Sequence, residues 1–456
     1  MHSNLNALDP QWAWSPFEPD AKRPWSRTLA AHLYRRAGFA ADAATLDAAV
    51  SRGASDSVAW LMSRPQGAPE WKQEFSALVK AVLAGGDPKS LSAWWLRVLL
   101  HTPDVLGEKM TLFWHGHFAT GAEKVLDAAL MQQQNELFRR HALGTFEPLV
   151  QGVSKDPAML LYLDSAVNRK ARPNENYARE LMELFCLGEG NYTEQDIRET
   201  ARCFTGWEVR RGKFYRNARQ FDRGEKVIFG SRGAFEGEEV VRLIVQQPAA
   251  PSFLVRKLVR YFVFDEPQPS DELLEPLVAE FSASDFNVGR VVQRILASQV
   301  FFSEHAFARK VRSPVELGVG LLRSLQGACN VYKLADELAS LGQELFFPPN
   351  VKGWDGGRTW INSSTLLGRA SLASRLIQDE NTRFAGGNLE TLVEQHGLTT
   401  TDETVTWLAE LLLATPLSLS LRQRLVALGE ATPGSRHQKT AAVLQGMTAL
   451  PEFQLG

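Results

Sequence analysis

"RPNENYARELMELFCLGEGNYTEQDIRETARCFTGWEVRRGKFYRNARQFDRGEKVIFG", residues 172–230, contains both kinds of structure this chain uses. Between Pro173 and Gly188 the apolar residues Tyr177, Ala178, Leu181, Met182, Leu184 and Phe185 recur at helical spacing. That spacing predicts a helix with Asn176, Arg179, Glu180 and Glu183 on its other side. A second helix is predicted from Thr193, because Thr193 and Asp196 form the T-x-x-D pattern of a capping box. Glu199 and Arg202 then lie three apart on its polar side. After Gly206 the period breaks. Glycines separate the short β-prone runs "KFYR" and "KVIFG", so residues 207–236 are predicted to form a small hairpin or meander.

On either side the helical period returns. "TLAAHLYRRAGF", "SLSAWWLRVLLHT", "LGEKMTLFWHGHF", "ALMQQQNELFRRHAL", "PSFLVRKLVRYFV" and "PVELGVGLLRSL" all read as helices between glycine and proline stops. The predicted class is therefore mainly α: one large multi-helix domain with a small β insertion. "FPPNVKGWDGGRTWINSS", residues 347–364, is too rich in Pro, Gly and Asn for regular structure. Three segments follow from this pattern: a Trp- and Pro-rich N-terminal arm over 1–28, a helical core over 29–384 and a C-terminal helical appendage over 385–456. Trp12, Trp14 and Trp25 are expected to anchor the arm to the body, since three indoles so close together form a large apolar surface.

At 456 residues, 44% hydrophobic and 22% charged, the chain can bury a sizeable core. A formal net charge of −2 gives no global field for nucleic acid or membrane. Three scattered cysteines argue against a disulfide framework. The N-terminus lacks the charged-then-apolar pattern of a signal peptide, and no apolar run approaches the ~18 residues of a span. The expectation is a soluble, cytoplasmic protein.

Chemistry is harder to place. The polar side of the first helix is explained as a solvated face, with Glu175–Arg179 and Arg179–Glu183 pairs four apart. The like charges Glu180 and Glu183, three apart, fit that account poorly and suit a site instead. His115 and His117 in "LFWHGHFATG" form the one H-x-H of the chain, read as an extended segment presenting both imidazoles on one side. With carboxylates from elsewhere such a pair suits Zn, Fe or Mn; between aromatics it is more often part of a hydrogen-bonded core. No phosphate-binding loop, nucleophile elbow or H-E-x-x-H is present. The basic "VRKLVRYF" reads as an ordinary surface helix.

The blocks "FWHGHF", "PNENYARELMEL", "FDRGEKVIFG" and "FPPNVKGWDGG" resemble the bacterial family called domain of unknown function eighteen hundred, with the likeness running from about His32 to Leu376. The family has no established activity to carry over. Its members are often encoded beside a family similar to sulfatases and alkaline phosphatases, which the resemblance makes a possible partner, and many carry an export signal. Its motif positions are polar, which suits a convergent pocket. A His commonly precedes the Asp of the hairpin in the family, where this chain has Phe221 before Asp222. Two functions follow. In a metal-assisted, hydrolytic enzyme, His115, His117, Glu183 and Asp222 would hold a divalent metal, and Glu180, Arg179, Arg202 and Lys352 would serve catalysis. Asn174, Asn176, Asn350 and Trp354 would bind substrate. In a non-catalytic scaffold or maturation partner, the same residues would form a buried ion-pair network.

Overall fold

Helices built on that 3.6-residue period dominate the molecule. The computed structural model describes residues 5–456, so the first four residues of the arm lie outside the described residues. Among the described residues about 60% are helical, in 25 helices, and the strands form three small antiparallel two-stranded sheets.

The helix Val105–His117 runs through the centre. Every residue in it except Gly116 is buried, and its charges are paired, Glu108 with Arg139 and Lys109 with Glu316. Trp114 stacks on Phe118, whose ring meets Phe185 at 5.2 Å. This helix corrects the extended reading of H-x-H. On a helix, residues two apart point to different sides, so His115 and His117 diverge.

The insertion forms where expected, as two separate hairpins. Trp207–Arg210 pairs with Lys213–Arg216, and Lys226–Ile228 with Ser231–Gly233. Each turns through two residues at positive φ, Arg211–Gly212 and Phe229–Gly230, the backbone that matches the twist of paired strands. The helix Glu194–Cys203 carries the second hairpin on one polar stripe. Asp196 closes the expected capping box with Thr193 and also accepts the Phe229 N–H at 2.7 Å. Glu199 accepts the Val227 N–H at 3.1 Å. Arg202 pairs with Asp222 and Glu199, each at 2.7 Å.

The arm lies along the body. Phe17 N–H donates to Ala297 O at 2.7 Å, and Val300 N–H to Ala13 O at 3.1 Å. Trp14 is buried and donates its indole N–H to Leu273 O at 2.6 Å, and Trp25 donates to Ala49 O at 3.1 Å. Trp12 is not an anchor: it is 37% exposed. At the other end, Arg312 N–H donates to Gln454 O at 3.0 Å, and the buried Arg369 donates to Gln454 Oε1 at 2.9 Å. No helix of the described residues is long and apolar enough to cross a membrane.

Candidate functional site

A pocket of about 310 Å³ opens beside the C-terminal end of Val105–His117. Three sequence blocks meet there. Gly353, at φ +78°, packs against Gly116 so closely that an added Cβ would sit 2.1 Å from Gly116 O. The glycine of "VKGW" is therefore required for this backbone crossing over the main chain of "HGH". The crossing sets Trp354 5.5 Å from the His115 ring. Asn350 forms the turn that delivers the loop, its Oδ1 accepting the Lys352 N–H at 2.8 Å.

The third block is the stretch quoted first. It begins as the α-helix Asn176–Glu180 and continues as the π-helix Leu181–Cys186. Its last carbonyls would be unsatisfied without outside donors. His117 Nε2–H donates to Phe185 O at 2.9 Å, and Lys257 Nζ donates to Leu184 O at 3.0 Å. A cation at a helix C-terminus is also favoured by the helix dipole. With Nε2 donating, His117 Nδ1 is the acceptor, and Lys257 Nζ lies 3.2 Å from it. Burial, with Lys257 beside it, drives the His117 imidazole well below its ordinary pKa. His115 Nε2 accepts the Phe346 N–H at 3.0 Å, and burial pulls its pKa to about 3.

These contacts bear directly on the expected metal ligands. Both His117 nitrogens and the His115 Nε2 lone pair already serve protein groups. Glu183 accepts from Tyr192 Oη at 2.8 Å, and Asp222 is engaged by Arg202. The four do not converge, and no group of three or more His, Cys, Asp or Glu among the described residues is placed to hold a metal ion. Glu180 and Glu183 are half-buried but do not line the pocket. Burial and the neighbouring Glu183 push the Glu180 carboxyl up, against the pull of Arg179 and Lys352. Arg179 turns to Glu194, at 2.8 Å through each of two nitrogens, rather than to Glu183. Asn174 braces its own loop through Asp164 O, and Asn176 is exposed. Glu183→Gln keeps an acceptor for Tyr192, so chemical denaturation should show a change within ~1 kcal/mol. A loss of several kcal/mol would contradict this assignment.

Of the expected site residues, Lys352, Trp354 and His117 line the pocket. The reading of residue types missed Lys257, Arg260 and Tyr261, which reach it from the helix Ala249–Phe262, and Lys310, Asp265 and Glu316. The 257, 260, 261 spacing puts a cation pair and an aromatic on one helical face, a signal that "VRKLVRYF" contained. Lys310 is paired with Asp265 at 2.8 Å, and Glu316 with the buried Lys109. Among the described residues, Lys257, Arg260 and Lys352 have no carboxylate within salt-bridge distance, and Arg260 Nε is buried without a hydrogen-bond partner. Burial, with Arg260 nearby, pulls the Lys257 pKa down to about 8.

The arrangement is that of a helical protein whose Gly-rich loop closes one wall of a cationic, aromatic pocket. The family model described as protein of unknown function (DUF1800) matches residues 32–455. The chain belongs to that family, and the match includes the C-terminal helices that the sequence pattern set apart. No curated protein and no solved structure matches it.

Proposed function

We propose that the pocket binds a small organic anion. The observation that carries this reading is the convergence of Lys257, Arg260 and Lys352, none with a carboxylate partner, on one concave site. Cations brought together without a direct carboxylate partner attract negative charge, and their excess over Asp265, Glu316 and Asp355 in the same lining is supplied by Lys257, Arg260, Lys310 and Lys352. Phe113, Tyr261, Trp354 and Trp360 supply apolar walls for the body of the ligand. A volume of about 310 Å³ suits a molecule of one ring or a short chain.

Hydrolysis fits the same geometry, with Lys257 and Arg260 meeting charge that develops on an oxygen. A divalent metal has no place in the proposal, because the imidazoles that would hold it are committed to Phe185 O, Lys257 and the Phe346 N–H. Calorimetric titration with phenyl phosphate, benzoate and phenol tests the reading. The two anions should bind and phenol should not. Lys257→Met should weaken the anions about tenfold, the equivalent of ~1.4 kcal/mol. Equal affinity for phenol and its phosphate would sink the idea.

The scaffold reading draws on a different observation. Asp196, Glu199, Arg202 and Asp222 satisfy one another and the hairpin backbone, as structural charges do. Recovery of a stable complex with a sulfatase-like neighbour, insensitive to Lys257→Met, would favour it.

A further inference from the structure

The lysines in and around the pocket are held in two different ways. Lys109 and Lys310 each have a carboxylate partner, Glu316 and Asp265 respectively. Lys257 has none among the described residues. Its amine meets two neutral acceptors instead, Leu184 O at 3.0 Å and His117 Nδ1 at 3.2 Å. The imidazole stays neutral because burial and the neighbouring Lys257 oppose its protonation, while its Nε2–H is given to Phe185 O. A carboxylate would hold the amine as ammonium. Two neutral acceptors suit an uncharged amine, which has two N–H bonds to give and keeps a lone pair for the remaining direction. Lys257 lines the pocket, so a bound ligand can meet that lone pair.

A desolvated amine beside another cation is the form in which lysine acts as a nucleophile. Burial, with Arg260 adding to it, brings the Lys257 pKa to about 8. At pH ~7 roughly a tenth of such a group is unprotonated, against about one in a few thousand for an ordinary lysine. Arg260 stands three residues further along the same helix, and its Nε is buried without a hydrogen-bond partner. Side chains at that spacing start about 5–6 Å apart, within the reach of two adjoining groups of one small ligand. Lys352 brings a second fixed charge from the Gly-rich loop. Resting on the anion-binding reading of this pocket, we propose that its ligand is a 2-oxo carboxylate, joined at the keto carbon to Lys257 as a Schiff base while Arg260 and Lys352 hold the carboxylate. The Nζ lone pair forms the C–N bond, and the carbonyl π pair moves onto oxygen. Loss of one water, made of that oxygen and the two amine protons, leaves the C=N bond. The step needs no oxidant or reductant.

Incubation of the full chain with pyruvate and sodium cyanoborohydride, followed by peptide mass mapping, tests this. The reagent reduces the imine to a stable secondary amine. A single reduced pyruvyl adduct is expected, on Lys257. It should be lost when benzoate saturates the pocket and when acetone, which lacks the carboxylate, replaces pyruvate. Lys257→Arg should abolish the adduct and retain benzoate binding. The mapping needs only native protein, so it decides even where the variant does not fold. An adduct on Lys352, or labelling spread evenly over the lysines, would overturn the proposal. Absence of any adduct in native protein that binds benzoate would overturn it too, and would leave the anion-binding reading standing. A Lys257 adduct that forms equally with acetone and ignores benzoate would overturn both.

Discussion

Glu316→Gln should destabilise the protein by about 3–5 kcal/mol, as measured by urea denaturation, the usual cost of removing one member of a buried pair. Lys109 is buried, with 1% of its side chain exposed, and Glu316 is its ion-pair partner. Glu316 also faces Lys310, Arg36, Arg312 and Arg369, so its single negative charge serves a crowd of cations. Burial alone would push its carboxyl up. Lys109 and Lys310 outweigh burial and hold the pKa down to about 2. The folded value lies below the unfolded one, so the stabilisation is complete above pH ~4.5 and is lost as pH falls toward about 2. The shift corresponds to about 3 kcal/mol, so acid unfolding should set in across that window in native protein. The Gln variant should show a shallower dependence there. Native and variant chains with superimposable acid transitions would contradict this.

Gly353→Ala should cost roughly 2–5 kcal/mol, combining a left-handed backbone forced on a residue with a Cβ and an overpacked contact. The added carbon would lie 2.1 Å from Gly116 O, and backbone cannot give way as a side-chain tip can. The loop must therefore move, taking Lys352 and Trp354 with it. Anion affinity in the pocket should fall in the same variant. Gly116→Ala is the control. Its nearest new contact is Trp354 at 4.0 Å, and alanine is favoured over glycine in a helix by ~1 kcal/mol, so it should be neutral or mildly stabilising. If the two variants behave alike, the crossing is not what positions the loop.

Much of the fold could be read from residue order, because helices and hairpins are local. Thr193 with Asp196 announced a helix start, and "KFYR" and "KVIFG" marked the strands that form. The failures came where burial replaces pattern. Val105–His117 is legible as a helix, but its last turn carries His115 and His117, which the H-x-H spacing alone presented as a chelating pair on extended backbone. Lys257 was discounted because its surroundings are set by His117 and Leu184, 140 and 73 positions away. No window of sequence contains that distance. The acidic pair Glu180 and Glu183 did signal something non-local, but Lys352 and Tyr192 answer it with ordinary electrostatics and a hydrogen bond.

The stitching of the arm to the middle of the chain has a consequence for biosynthesis. Pro16 O receives the Gln299 side chain across 283 positions, and the segment around Ala13–Phe17 is zipped to Ala297–Val300. Until that partner leaves the ribosome, Trp14 has no surface to bury against. At translation speeds of about 5–20 residues per second the wait is roughly 15–60 s. For that interval the nascent chain displays an indole-rich tail, the kind of sticky segment that holding chaperones capture. Ribosome-bound chains halted before residue 297 should therefore be sensitive to protease within the arm, and chains halted well beyond residue 300 should be protected there.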